Sequence, residues 1–167
     1  EREALFRHID VAAPQSVALL EELVNLNSGT FNVAGVSQVG ARLEREFRAL
    51  GFKTRWVSME AVGRAPHLVA ERRGRKGRHL LLLGHMDTVF EPFSPFRTFV
   101  RRGELATGPG AHDMKGGLVM AIFAPLIAGV SPVKQTPNNS LRQPAWVKTS
   151  DPNTTGSPNH LLGTDTL

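Results

Sequence analysis

The sequence predicts an α/β fold, in which helices cover the faces of a sheet. Two observations lead to this prediction. Apolar residues recur at steps of three and four in several segments, which is typical of helices with a buried face. Short segments rich in β-branched and aromatic residues lie between them. One of these, His79 to Gly84, is continuously apolar, as are strands that are buried on both faces of a sheet.

The first two helices follow from the apolar spacing. Residues 17–26 predict one amphipathic helix, with Pro14 well placed for its first turn and residues 27–30 ending it. Residues 36–50 predict a second helix, which stops at Gly51 because glycine readily adopts the left-handed conformation found after helix ends.

Three strands and a third helix follow along the chain. The strands are predicted over residues 52–59, 67–72 and 79–84, and the residues between the last two strands form a basic turn. Residues 118–128 predict a buried helix, because nearly all of them are apolar.

The composition suits one folded domain followed by a different tail. The chain has 167 residues, of which 41% are hydrophobic and 21% charged, and these are ordinary values for a globular protein. The predicted elements divide it into a domain over residues 1–124 and a tail over residues 125–167. Of the 43 tail residues, 23 are Pro, Gly, Ser, Thr or Asn, so we expect the tail to be irregular or disordered.

Composition also disfavours several classes of protein. No apolar run approaches the roughly 18 residues that cross a bilayer, so we expect no membrane partner. The absence of cysteine excludes a disulfide scaffold and a cysteine nucleophile. The net charge is +5, but the basic run at residues 72–78 has no aromatic platform, which favours an exposed turn over a nucleic-acid site. The compartment stays open between cytoplasm and periplasm.

The first candidate site lies at the end of the apolar segment. His85 and Asp87 are two positions apart, so in an extended chain both side chains project to the same side. Such a pair suits a metal-binding histidine that is oriented by a carboxylate, or part of a nucleophilic triad. No Gly-x-Ser-x-Gly motif accompanies it. Taken alone, the pair is explained better by a structural histidine.

The second candidate site is a glycine-rich loop before the third helix. Its sequence is Gly108-Pro109-Gly110-Ala111-His112-Asp113-Met114-Lys115-Gly116-Gly117. Glycines allow a backbone to approach a bound ion closely, and Asp113 could present its carboxylate to that ion. Taken alone, this segment is explained better by a helix whose N-terminus is capped by Asp113.

Together the two segments resemble the two-zinc aminoacylase and carboxypeptidase family, which includes glutamate carboxypeptidase, acetylornithine deacetylase and succinyl-diaminopimelate desuccinylase. The matching residues are His85-Met86-Asp87-Thr88-Val89 and the glycine-rich loop around Asp113. The resemblance covers roughly residues 10–124. It implies a three-layer fold in which helices pack on a mixed, mostly parallel sheet.

The resemblance also implies roles for three residues. His85 corresponds to a zinc ligand, and Asp87 corresponds to the catalytic-site carboxylate that orients this histidine. Asp113 corresponds to the aspartate that bridges two zinc ions, and the peptide bond after it is expected to be cis. His112 matches no ligand position.

The implied activity is hydrolysis of an amide or peptide bond. In such a reaction zinc lowers the pKa of a bound water, and a glutamate takes its proton. The implied substrates are small peptides or N-acyl amino acids. Neither a nucleic acid nor a membrane is an implied partner. Family members often dimerise through an inserted domain, for which this chain has no counterpart.

The sequence departs from the family after Asp113. The family's Glu-Glu pair, which supplies the base and a further zinc ligand, has no counterpart because no glutamate follows Glu104. We therefore expect an amino-terminal fragment that is inactive or much slowed on its own, with an ending unrelated to the family. The alternative is a non-catalytic remnant that binds a metal or a partner weakly.

Overall fold

The computed structural model describes residues 2–74 and 80–127. Its helices and strands, in chain order, are α1 (Arg2–Asn25), α2 (Val33–Ala49), β1 (Lys53–Val57), β2 (His67–Glu71), β3 (Val100–Arg102), β4 (Leu105–Thr107) and α3 (Gly116–Ile127). This mixture of helices and strands confirms the predicted α/β composition.

The core of the described residues lies among the three helices. The buried side chains that form it are all apolar: Leu19, Leu23, Val39, Leu43, Leu50, Val119, Ile122 and Phe123. The apolar spacing in the sequence therefore identified the inward faces correctly. At the end of α2, Phe47 and Phe52 meet edge to face with their ring centroids 5.4 Å apart, and this contact holds the start of β1 against the helix.

The ends of α2 follow from local chemistry. The Asn32 side chain accepts a hydrogen bond from the Gly35 N–H, which caps the first turn. At the other end, Gly51 has a φ of 79° and its N–H donates to Arg48 O. The predicted stop at Gly51 is confirmed.

The predicted start of the first helix is wrong. Pro14 lies inside α1, which begins at Arg2, and not in its first turn. The preceding residues include Ala12 and Ala13, which favour helix strongly enough to continue it across the proline. The missing N–H of Pro14 costs α1 one hydrogen bond, and the helix continues because its second half is buried in the core.

The described strands form two antiparallel pairs. In β1 and β2, Lys53 lies opposite Glu71 and Val57 lies opposite His67. The short strands β3 and β4 form the second pair. In the part of the chain that the structure describes, parallel pairing is limited to a single bridge between Gly29 and Thr88. The three-layer, mostly parallel sheet therefore stays a prediction.

The predicted buried strand at residues 79–84 is wrong for the residues that the structure describes. Leu80, Leu81, Leu82 and Leu83 are 62–83% exposed, and they belong to no strand. A strand buried on both faces needs neighbouring strands and covering helices. No described strand pairs with this segment.

Other predictions fall partly or wholly outside the described residues. The basic turn is described only as far as Gly74, and the tail only as far as Ile127, where α3 ends. Within residues 2–74 and 80–127, no helix combines the length and apolar character that crossing a bilayer requires.

Candidate active site

The segment that carries the first motif is held against the loop that follows α1. The Thr88 N–H donates to Ser28 O at 2.8 Å, and the Thr30 N–H donates to Thr88 O at 3.0 Å. Gly29 lies between these contacts, and a Cβ at this position would collide with the Glu91 carboxylate. The close approach of the two segments therefore requires glycine here.

The second motif forms an irregular turn over Ala111–Lys115 immediately before α3. Gly110 enters it with a φ of 72°, a conformation that glycine adopts without strain. Asp113 has φ −119° and ψ 98°, which are not helical values. The peptide bond between Asp113 and Met114 is cis, as the family resemblance implied.

The structure brings the three predicted site residues together. His85 Nε2 lies 3.0 Å from Asp113 Oδ1. On the other side of the ring, Nδ1 lies 3.0 Å from the main-chain oxygen of Asp87 and 3.2 Å from its Oδ1. The imidazole of His85 thus lies between two aspartates that come from separate segments of the chain.

These three residues line a cleft of about 380 Å³. Its lining consists of Thr30, His85, Asp87, Thr88, Val89, Phe90, Phe96, Gly108, Gly110, Ala111, His112 and Asp113. The aromatic rings of Phe90 and Phe96 pack edge to face with their centroids 5.0 Å apart. The cleft therefore combines an apolar wall with a small group of ionisable side chains, which is the usual make-up of a small-ligand site.

The environment of His85 favours its protonated form. Partial burial acts to lower the pKa of this imidazole, but the hydrogen bonds to Asp113 and to the main chain of Asp87, with the charges of both carboxylates, outweigh it and raise the pKa above its ordinary value of 6.5. A cation that replaced the proton on Nε2 would meet the Asp113 carboxylate, while Asp87 stays at the opposite nitrogen of the ring.

Two contacts beside the site were not predicted from the sequence. The Thr30 hydroxyl donates to Asp87 Oδ2 at 2.6 Å, across 57 positions of sequence. Lys115 is fully buried beneath the turn, and its Nζ donates to Leu26 O at 2.9 Å. Burial lowers the pKa of Lys115 to about 8. No local pattern signals either contact, because each joins segments far apart in the chain.

The ligand atoms of His85 and Asp113 suit one side of a zinc site. Imidazole nitrogen and carboxylate oxygen are zinc ligands, and two atoms 3.0 Å apart can both lie about 2.0–2.2 Å from one ion. Among the residues that the structure describes, no cluster contains three or more His, Cys, Asp or Glu side chains that could hold a metal ion. The site therefore offers a pair of ligands, whereas zinc sites usually have three or four.

Comparison with known proteins places both motifs in one family. The profile of Peptidase family M20/M25/M40 matches residues 81–127, which include both motifs. Carboxypeptidase G2 of a Pseudomonas species is 36% identical over 117 residues, covering 68% of this chain and 28% of the relative. The succinyl-diaminopimelate desuccinylase of Novosphingobium aromaticivorans is 36% identical over 115 residues, covering 65% of this chain and 30% of the relative.

Another relative extends this pattern. The succinyl-diaminopimelate desuccinylase of Rhodopseudomonas palustris is 33% identical over 123 residues, covering 70% of this chain and 31% of the relative. The chain thus spans less than a third of the length of these curated relatives. Both the profile match and the relatives agree with the resemblance that the two motifs carry, and the chain belongs to Peptidase family M20/M25/M40.

Proposed function

We propose that this chain carries part of the active site of a zinc-dependent hydrolase of amide or peptide bonds. The observation that carries the proposal is the His85 imidazole held between Asp87 and Asp113 at the edge of the cleft. The names of the relatives, a carboxypeptidase and two desuccinylases, support amide-bond chemistry.

The three side chains have different roles in this proposal. His85 Nε2 and Asp113 Oδ1 would hold zinc, since they face each other across 3.0 Å. Asp87 contacts the opposite ring nitrogen and fixes the orientation of the imidazole. When bound, zinc polarises a carbonyl oxygen and lowers the pKa of a bound water. The family resemblance implies that Asp113 would also hold a second zinc ion. Among the described residues, no group of three or more possible ligands is present to complete that second site.

Small peptides or N-acyl amino acids are the proposed substrates. The cleft volume of about 380 Å³ lies within the range of small-molecule sites. The rings of Phe90 and Phe96 would contact the apolar part of such a substrate.

We further propose that the helices cover a mixed, mostly parallel sheet, with a domain boundary near residue 124. The parallel bridge between Gly29 and Thr88 supports this arrangement, as does the membership of the chain in the family.

The 167-residue chain on its own is expected to turn over slowly. Deprotonation of the attacking water needs a base, and the family's glutamate has no counterpart because none follows Glu104. Loss of a general base typically lowers the rate by about 10²–10⁴. The lack of a third ligand in the described residues lowers it further, because zinc would be held less tightly.

The test is an assay of the purified chain against N-acyl glutamates and dipeptides, with and without added zinc. We expect slow, zinc-dependent hydrolysis that disappears in Asp113→Ala. Zinc binding without any hydrolysis above the Asp113→Ala background would instead support the alternative, a non-catalytic domain that binds metal weakly. That alternative is favoured by the small number of ligands in the described site.

A further inference from the structure

We infer that Thr30 is a positioning residue for the candidate zinc site, acting through Asp87 on the His85 ring. The inference rests on the proposed function, because it concerns how the chain prepares a metal-binding imidazole. Thr30 lies in the loop after α1 and belongs to neither motif.

The contact between Thr30 and Asp87 is short and directional. The Thr30 hydroxyl lies 2.6 Å from Asp87 Oδ2, which is typical of a hydroxyl donating to a carboxylate. The same hydroxyl lies 3.2 Å from Thr88 O. It carries one hydrogen, and the shorter distance and the negative charge both favour the carboxylate as acceptor.

This bond determines which oxygen of Asp87 is available to the histidine. With Oδ2 engaged by Thr30, Oδ1 is the carboxylate oxygen that lies 3.2 Å from His85 Nδ1, next to the main-chain oxygen of Asp87 at 3.0 Å from the same nitrogen. A carboxylate held at one oxygen loses freedom about its terminal torsion, so the second oxygen keeps a fixed direction. The His85 ring then keeps Nε2 directed at Asp113.

The backbone around Thr30 is held independently of the hydroxyl. The main-chain bonds between residues 28–30 and Thr88 secure the loop. The Phe31 N–H donates to Glu91 Oε1 at 3.0 Å, and the Asn27 amide donates to Phe90 O at 2.9 Å. Removal of the hydroxyl should therefore leave the loop in place and affect only the side chain of Asp87.

Thr30→Val is the central variant because it keeps the shape of the side chain and removes the hydroxyl. Thr30→Ser keeps the hydroxyl. Thr30→Ala removes both the hydroxyl and the branching at Cβ. Thr54→Val is the matched control, since the Thr54 hydroxyl also donates to a carboxylate, Glu44 Oε1, at 2.7 Å away from the cleft. Unfolding midpoints identify any variant whose fold has changed.

The first readout uses the zinc-free chain. Three-bond couplings measured by NMR give the populations of the His85 χ1 rotamers. We expect one dominant rotamer in the wild type, in Thr30→Ser and in Thr54→Val, and averaging between rotamers in Thr30→Val and Thr30→Ala. A single unchanged rotamer in both of these variants overturns the inference, and so does averaging in the wild type.

The second readout is zinc affinity. We expect Thr30→Val to weaken zinc binding by about 10- to 100-fold, as losses of groups that orient metal ligands do, and Thr30→Ser to restore it. If zinc leaves the His85 resonances of the wild type unchanged, the proposed function fails, while the rotamer measurement still decides the role of Thr30.

Discussion

The two carboxylates that contact His85 differ in exposure, and the difference agrees with separate roles. The side chain of Asp113 is 82% exposed, whereas that of Asp87 is 32% exposed. An exposed carboxylate at the mouth of a cleft can bind an incoming ion with little desolvation. A partly buried carboxylate with a hydroxyl donor is better suited to hold a neighbouring ring.

Replacement of Asp87 tests this division at the residue scale. Asp87→Ala keeps the main-chain oxygen near His85 Nδ1 but removes the carboxylate, so the ring is held less firmly and zinc binding should weaken by about 10- to 100-fold. Isothermal titration with Zn²⁺ measures the change. Glu60→Ala, at an exposed carboxylate outside the cleft, is the control. Equal affinities for Asp87→Ala and the wild type would show that the Asp87 carboxylate has no orienting role.

Lys115 is a second test at the residue scale. Lys115→Ala leaves a cavity and removes the donor to Leu26 O, so we expect a loss of about 2–4 kcal/mol in the free energy of unfolding. Lys115→Met preserves the volume and removes a buried amine, whose charging is disfavoured by burial, so it should lose less. Urea denaturation compares the variants. Equal losses would indicate that the hydrogen bond to Leu26, and not packing, dominates.

At the scale of elements, Glu44 joins α2 to β1. Its carboxylate accepts from the Thr54 hydroxyl at 2.7 Å and from Trp56 Nε1 at 3.1 Å. The hydrogen bond from Thr54 is the main reason that its pKa lies below the usual 4.5. The bond from Trp56 and the charge of Arg48 contribute in the same direction, while burial opposes them.

The lowered pKa of Glu44 predicts a pH dependence. The ionised Glu44 carboxylate stabilises the folded state, and this contribution is complete above pH 4.5, where the carboxyl is ionised in the folded and unfolded states. The contribution is lost as pH falls through the folded-state pKa of Glu44. Glu44→Gln should therefore lower stability at pH 7 by about 1–2 kcal/mol. Between pH 6 and pH 3, the free energy of unfolding of Glu44→Gln should fall by less than that of the wild type. Denaturation across this range, with the exposed Glu21→Gln as control, tests the prediction; parallel curves for Glu44→Gln and wild type would contradict it.

Pro14 provides a test of helix α1. Since the structure places Pro14 inside the helix, Pro14→Ala should restore an internal hydrogen bond and stabilise the protein by about 1–3 kcal/mol. Gln15→Ala, at the adjacent exposed position, should change stability by only a few tenths of a kcal/mol. Thermal or urea unfolding measures both. No gain from Pro14→Ala would mean that the helix begins near Pro14, as the sequence alone predicts.

For the whole molecule, local patterns predicted local elements well. The spacing of apolar residues in α2 and the glycine after it located that helix, and β-branched and aromatic residues located β1 and β2. The extent of α1 does not follow from the local pattern, because proline is typical of a helix start and yet the residues before Pro14 also form helix.

Contacts between distant segments limited what could be predicted. Residues 80–83 have the composition of a buried strand, but burial depends on partners that composition does not specify, and these leucines are exposed. The motifs indicated His85, Asp87 and Asp113, and the structure brings them together. Thr30 was missed because its bond to Asp87 spans 57 positions and leaves no local pattern.

The most direct test of the central claim is whether His85 and Asp113 hold the same zinc ion. Zinc titrations of the wild type, His85→Ala, Asp113→Asn and the double variant form a double-mutant cycle. His112→Ala, which changes a neighbouring residue of the same cleft, is the control. We predict that each single variant weakens binding at least about tenfold, that the double variant is little worse than either, and that His112→Ala binds as the wild type does. Unchanged affinity in both single variants, or losses that multiply in the double variant, would contradict the account.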